Sequence, residues 1–347
     1  MMVSSDNGRA AIAEGIRLLE QGGSALDAVE HCARIVERDL QEQSVGRGGR
    51  PNILGQVQLD AQIMDGTSLR AGSVGFVTNC CHVSTLARKV MEETPHVLLV
   101  GAGADHLARE LGLNDAEEGG EPLLTAEAAA DYRAGLLTDF PDLDLDDPQA
   151  PWRTSSDPEL PALREWIEQL RPRPEIPDHW FGTVNFMAID REGNIASCVS
   201  TSGWGWCYPG RLGDSPVLGA GGYSDSRYGA ACATGTGEVC IRTAASRSVV
   251  LYMKMGMSVK EAVEEAMSDL RDLRDPYSAH INLIAVDKAG NYAGMSYRPE
   301  KKFAVIRGGE QAATVLDHDD PHPVPGGMDT IAYRHGQGMQ PKPKGKL

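Results

Sequence analysis

Phe181-Gly182-Thr183-Val184-Asn185-Phe186-Met187-Ala188-Ile189-Asp190 is the stretch around which this chain is organised. A glycine precedes a threonine that opens an alternating run, and the run turns at Asp190 to Asn194. A second run, Ile195 to Thr201, comes back toward it. A hairpin centred near Glu192 sets residues equidistant from that centre opposite one another, so Thr183 falls beside Thr201 or Ser202. Two hydroxyls at adjacent strand ends can be chemistry, or simply two threonines that favour β-structure.

The whole chain bounds the reading. Its 347 residues suffice for one large α/β domain or two small ones. Lys plus Arg is 33 against Asp plus Glu 49, a formal charge of −16. That balance opposes non-specific binding to nucleic acid or anionic membrane, which needs clustered cations. It leaves room for an acidic small molecule held by one buried arginine. No stretch approaches the ~18 apolar residues of a membrane span. Met1 to Arg9 lacks the pattern of a signal peptide, so the expected compartment is the cytoplasm. Seven scattered cysteines give no disulfide framework. Cys80-Cys81-His82 lacks a second ligand pair at zinc spacing, and Asp317-His318-Asp319-Asp320-Pro321-His322 reads as a solvated acidic loop before it reads as a metal site.

Taken in order, Arg9 to Glu20 carries apolar residues at helical spacing and stops at Gly22-Gly23. Ser24 caps a second helix with Asp27 as a capping-box carboxylate. Val45 to Asn52 is a glycine-rich loop that follows a helix and precedes a strand, the reverse of a phosphate-binding loop. Val57 to Ile63 and Ala71 to Thr78 read as an antiparallel pair. Val97 to Ala104 resembles a dinucleotide fingerprint only briefly: the third glycine is missing, and a tight strand-to-helix turn fits better. Thr138 to Asp178 is crowded with Asp, Glu and Pro and reads as a linker, with one short helix near Leu163 to Leu170. It ends just before Gly182-Thr183.

Beyond the linker, Pro209 to Pro216 offers Arg211 and Asp214 in a turn-forming loop. Together they suit a small zwitterion, the guanidinium on a carboxylate and Asp214 on an ammonium; an internal Arg211–Asp214 salt bridge is the equal alternative. Ala233-Thr234-Gly235-Thr236-Gly237-Glu238 is a polar, glycine-rich turn that suits an oxyanion hole or serves as a plain turn. Helices are expected at Thr243 to Lys254 and Val259 to Leu270, and strands at His280 to Val286 and Tyr292 to Tyr297. Residues 335–347 read as a disordered tail.

Several long motifs in one order then give a resemblance over most of the chain. Gly23 to Glu30, Ser44-Val45-Gly46, Gly48-Gly49, Leu59-Asp60-Ala61, Ile63 to Gly66 and Thr94 to Gly101 carry it in the first half. Gly182-Thr183-Val184, Ser200-Thr201, Pro209 to Pro216, Gly219-Ala220-Gly221 and Ala233-Thr234-Gly235 carry it in the second. The chain resembles the glycosylasparaginase and isoaspartyl peptidase/asparaginase family of N-terminal-nucleophile hydrolases. The resemblance implies an α+β fold, a four-layer αββα sandwich, made as a precursor that cleaves itself between Gly182 and Thr183. Residues 1–182 would form an α chain and 183–347 a β chain, together one folded domain, with a dimer of αβ units as the assembly. Gly182 would tolerate the strained backbone an N-to-O acyl shift needs, and Thr183 would become both nucleophile and, through its α-amine, general base.

By the same resemblance Thr201 hydrogen-bonds the nucleophile. Arg211 takes the substrate α-carboxylate and Asp214 its α-amine, and Thr234 and Gly235 form the oxyanion hole. No metal and no cofactor is implied. The substrate is a small aspartyl side-chain amide, first N4-(β-N-acetylglucosaminyl)-L-asparagine, second a β-aspartyl peptide or asparagine. Phe181-Gly182 before the threonine resembles the isoaspartyl peptidase branch; Gly48-Gly49-Arg50-Pro51-Asn52 resembles the glycosylasparaginase branch. Arg50 stands where a small residue is expected, and Ser4 to Gly8 takes the place of a Trp-Pro. Trp204 and Trp206 are expected to pack against the Pro209 loop rather than stack on a sugar. A homologue that never matures and serves as a binding or scaffold protein is the reading from another class.

Overall fold

The hairpin expected around Glu192 is the centre of the larger of two sheets. Strands β5 (Val184–Ile189) and β6 (Ile195–Thr201) pair antiparallel with Val184 opposite Ser200 and Ile189 opposite Ile195. The Asp190 carboxylate closes the turn by accepting from the Glu192 and Asn194 amides. The computed structural model describes residues 1–116, 120–139, 182–271, 273, 280–298 and 300–319. Almost all of the expected linker, its short helix, Phe181, Asp320 to His322 and the 335–347 tail therefore lie outside the described residues.

Eight strands run in the order β12-β11-β1-β5-β6-β2-β3-β4. The further members are β1 (Met2–Ser5), β2 (Leu59–Asp65), β3 (Ala71–Val77), β4 (Leu98–Val100), β11 (Lys302–Ile306) and β12 (Thr314–Asp317). The pairs are antiparallel except β3 with β4. A second sheet of β7 (Gly222–Asp225), β8 (Gly229–Gly235), β9 (Ile281–Asp287) and β10 (Tyr292–Ser296) has the order β10-β9-β8-β7. The chain is thus mixed α/β.

Strand alternation sorts the core. On β5 and β6, Val184, Phe186, Ala188, Ala196 and Cys198 join one apolar cluster with residues of α1 (Ile12–Glu20), α2 (Ala25–Glu37) and α3 (Val83–Glu93). Met187, Ile195 and Val199 point the other way and pack with Ala230, Cys232, Ile284 and Val286 of the second sheet. The remaining face of that sheet, with Ala231, Leu283 and Ala285, packs on α7 (Ala245–Lys254) and α8 (Val259–Arg271). The stacking is helices, sheet, sheet, helices, which period-two burial on both sheets requires.

Local signals account for most elements. Ser24 accepts from the Asp27 amide and Asp27 accepts from the Ser24 amide, the expected capping box at the start of α2. The first helix begins at Ile12, after a 3-10 turn at Asp6–Gly8, rather than at Arg9. The Val97 to Ala104 segment is a strand-to-helix turn, with Gly101 at φ 56 leading into α4 (Ala102–Glu110). The helix expected from Thr243 to Lys254 is two: α6 (Gly237–Thr243) and α7, broken at Ala244, whose φ is 48. The remaining helix, α5 (Ala126–Asp139), reaches into the residues read as linker. No helix among the described residues is long and apolar enough to cross a membrane.

Glu37 ties the helical layer to the central strand. It is fully buried and accepts from the Ser84 amide (2.9 Å), the Ser84 hydroxyl (2.9 Å) and the Ser200 hydroxyl (2.8 Å), joining α2, α3 and β6. Glu37→Ala leaves three buried donors without an acceptor and is expected to cost about 3 kcal/mol or more in urea unfolding. A loss below about 1 kcal/mol, the net worth of a single ordinary hydrogen bond, would contradict this account of the hub.

Candidate active site

The face of β5 and β6 that meets the second sheet is apolar at Met187, Ile195 and Val199 and turns polar at its end. The register that puts Val184 opposite Ser200 puts Thr183 next to Thr201, as the hairpin count expects. Their hydroxyl oxygens are 3.3 Å apart. Thr201 Oγ1 donates to the Gly182 carbonyl at 2.5 Å, and Thr183 Oγ1 lies 2.8 Å from the same oxygen. The Gly203 amide donates to Thr201 Oγ1 at 3.0 Å, so the Thr201 hydrogen is directed at the Gly182 carbonyl.

These groups open on a cavity of about 360 Å³ between the sheets, lined among others by Gly182, Thr183, Thr234 and Gly235. Strand β1 supplies another wall. Ser5 and Asn185 exchange hydrogen bonds, Ser5 N to Asn185 Oδ1 and Asn185 N to Ser5 Oγ, each 3.1 Å. The Ser5 hydroxyl donates to Asn7 Oδ1, and Asn7 Nδ2 donates to the Thr183 carbonyl at 3.3 Å. Thus Ser4 to Gly8 does reach the threonine.

Gly182 is a glycine for a reason other than left-handed backbone. Its φ is not among the positive ones, but a Cβ built on it would lie 1.7 Å from Ser44 Cβ. Ser44 is itself fixed: its amide and hydroxyl donate to Glu42, and its carbonyl accepts from the Ser202 amide. Close approach, not a strained dihedral, is what excludes a side chain at 182. Gly235 needs both freedoms, with φ 116 and the His280 carbonyl 1.8 Å from a Cβ placed there.

Arg211 and Asp214 do not line the cavity. Arg211 Nη1 approaches Gly203, the residue whose amide bonds Thr201. Among the described residues the expected alternative of an Arg211–Asp214 salt bridge is not formed: Arg211 grips Glu238 through Nε and Nη2, each bond 2.9 Å, and lies over the Trp204 ring at 4.6 Å. The sequence pattern assigns Glu238 no role beyond the glycine-rich turn; its place three residues past Gly235, in the first turn of α6, is what brings it to Arg211.

Asp214 is buried, and its Oδ2 has no hydrogen-bond partner among the described residues. Burial pushes its carboxyl up to about 7, against the pull of Arg211. Asp60 is similarly buried and raised to about 6 by desolvation, although its carboxylate accepts from the Phe76 amide at 2.8 Å and faces Arg211.

The other flagged residues have plain positions. Trp204 packs on Arg211 of the Pro209 loop, as expected, whereas Trp206 is buried beside Gly135 of α5. Arg50 lines the cavity, and burial lowers its guanidinium against the opposing field of Glu42. All seven cysteines are free and buried. No group of three or more His, Cys, Asp or Glu side chains among the described residues is placed to hold a metal.

Two adjoining threonines at the end of a two-sheet sandwich open on a cavity between the sheets, and the chain can be set beside known proteins. The family model described as Asparaginase matches residues 3–316. N(4)-(Beta-N-acetylglucosaminyl)-L-asparaginase of Elizabethkingia miricola is 36% identical over 300 residues, covering 84% of this chain and 76% of its own. Isoaspartyl peptidase/L-asparaginase of Mus musculus is 32% identical over 305 residues, covering 88% and 82%. N(4)-(Beta-N-acetylglucosaminyl)-L-asparaginase of Rattus norvegicus is 31% identical over 287 residues, covering 81% and 79%. The chain belongs to the asparaginase family of N-terminal-nucleophile amide hydrolases.

The buried Asp214 gives a sign-definite pH test. Its folded value lies above the unfolded 3.8, so the protonated form is favoured in the fold and its contribution to stability is lost as pH rises toward about 7. Asp214→Asn, neutral at every pH, is expected to stabilise the fold on the order of 2 kcal/mol more at pH 8 than at pH 5. Melting midpoints at the two pH values check it; an equal shift at both would mean that Asp214 is ionised throughout.

Proposed function

We propose that this chain is a precursor that cleaves its own Gly182–Thr183 bond and then hydrolyses the side-chain amide of aspartate derivatives with Thr183. The observation that carries the reading is the Gly182 carbonyl, which accepts from Thr201 at 2.5 Å while Thr183 Oγ1 stands 2.8 Å from its oxygen. The Thr201 hydroxyl polarises the carbonyl. Thr183 Oγ attacks its carbon, the C–N bond breaks, and the acyl group of Gly182 passes to Thr183 Oγ as an ester. Water hydrolyses the ester and leaves Thr183 with a free α-amine. A group of that kind has a pKa near 7.7–8.0, suited to take the hydroxyl proton at neutral pH.

In turnover the Thr183 hydroxyl attacks the side-chain carbonyl of the substrate, and the Thr234 hydroxyl and Gly235 amide hold the developing oxyanion. The amine departs with the proton held by the Thr183 amine, and water then cleaves the β-aspartyl ester. Arg211 Nη1 meets the α-carboxylate, because Glu238 engages only the other two nitrogens. Asp214, buried with an unpartnered oxygen, meets the α-ammonium.

The two segments would stay together after cleavage. In the large sheet β1, from residues 1–182, lies between β11 and β5, and β6 lies between β5 and β2, so separating them breaks hydrogen-bonded ladders. Pairing of two αβ units into a dimer is part of the same reading.

The first leaving group is a glycosylamine, as in N4-(β-N-acetylglucosaminyl)-L-asparagine. A β-aspartyl peptide is the second reading, favoured by Arg50, Lys301 and Lys302 on the cavity wall, which suit a leaving amino acid's carboxylate. Purified protein is expected to show two bands on a denaturing gel, and Thr183→Ala one band with no turnover. Activity in uncut Thr183→Ala would end the mechanism. Comparing turnover of the sugar-linked asparagine, β-aspartyl dipeptides and asparagine identifies the leaving group.

A further inference from the structure

Strand β9 reads Ile281-Asn282-Leu283-Ile284-Ala285-Val286, an apolar run interrupted by one amide. Asn282 shares the inward face with Ile284 and Val286, which pack in the core between the sheets, and it lines the cavity with Thr183 and Thr234. The register aligns three polar side chains across three strands: Thr234 of β8 is opposite Asn282, and Asn282 is opposite Ser296 of β10. They are bonded in sequence. The Arg298 amide donates to Ser296 Oγ at 2.9 Å, Ser296 Oγ donates to Asn282 Oδ1 at 2.5 Å, and Asn282 Nδ2 donates to Thr234 Oγ1 at 2.9 Å.

The direction of this row is set at its far end. A backbone amide only donates, so Ser296 Oγ receives one hydrogen and passes its own to the carbonyl oxygen of Asn282. The amide nitrogen of Asn282 then faces Thr234, and Thr234 Oγ1 is an acceptor in that bond. Its own hydrogen is left for another acceptor, and among the described residues Thr234 Oγ1 has no other hydrogen bond.

We propose that Asn282 is a positioning residue that orients the Thr234 hydroxyl as a donor into the cavity, toward the oxygen that becomes negative during amide attack. The inference rests on the oxyanion role given to Thr234 above. A row of aligned donors also polarises its last member, so the Thr234 hydroxyl is a stronger donor than an isolated threonine. The row is preorganised because Ser296 is buried and both cross-strand distances are fixed by the sheet.

The decisive variant is Asn282→Asp, which keeps the shape and reverses the bond. A carboxylate accepts from Thr234 and turns its hydrogen away from the cavity. With a β-aspartyl anilide as probe and rates normalised to the cleaved fraction, Asn282→Asp is expected to lower kcat about 10²-fold, as for loss of one oxyanion donor, with KM nearly unchanged. Asn282→Leu removes the orienting donor without reversing it and is expected to cost about tenfold in kcat. In a Thr234→Val background Asn282→Leu should have no further effect. If Asn282→Asp fails to mature, the Leu variant and its cycle with Thr234→Val carry the test.

Wild-type kcat in both Asn282 variants, a loss confined to KM, or full additivity with Thr234→Val overturns the proposal while Thr234 keeps its role. Full activity of Thr234→Val alone removes the oxyanion role and the proposal with it, yet leaves Thr183 as the nucleophile.

Discussion

The register of one hairpin holds the site together. Val184 pairs with Ser200, and from that pairing Thr183 and Thr201 become neighbours on the face that meets the second sheet. A slip of β5 by one residue would turn the Thr183 hydroxyl into the helical layer, away from Thr201, and send Met187 with it. The register is held from both sides: Phe186 and Cys198 are locked in the core under α2, and Met187 and Val199 in the core between the sheets. The threonines are therefore placed by the packing of residues that do no chemistry.

The cavity forms because each sheet becomes polar at the same end of the shared core. From the first sheet come Ser5, Thr183 and Thr201; from the second come Thr234, Asn282 and Ser296. Apolar packing supplies rigidity directly behind these groups, through Ile284 and Cys232. Polar side chains at such a boundary must satisfy one another, and they do so in short rows that fix the direction of each hydrogen.

Charge is handled differently one layer back. Asp60, Asp214 and Glu238 gather around Arg211, and only Glu238 closes a bidentate pair. The two aspartates stay buried against their desolvation cost. That cost is offset elsewhere, by Glu37 and its three donors and by the apolar cores.

Much of this was legible in the chain. Counting from Glu192 places Thr183 beside Thr201 or Ser202, Ser24 and Asp27 mark the helix cap, and ordered motifs mark the family. Local rules reach that far because turn chemistry, capping and alternation depend on residues near in sequence. The break at Ala244, the place of β1 inside the large sheet, the choice of Glu238 over Asp214 by Arg211 and the steric demand of Ser44 on Gly182 were not legible. Each depends on which distant residues come within a few ångströms. The row Ser296–Asn282–Thr234 shows the division most plainly: the sequence alone determined that two strands carry Asn282 and Ser296 among apolar residues, and it read Thr234 as part of a turn where the structure has strand β8. Only the sheet register decided that the three are aligned, because hydrogen-bond direction follows from pairing between strands and not from order along them.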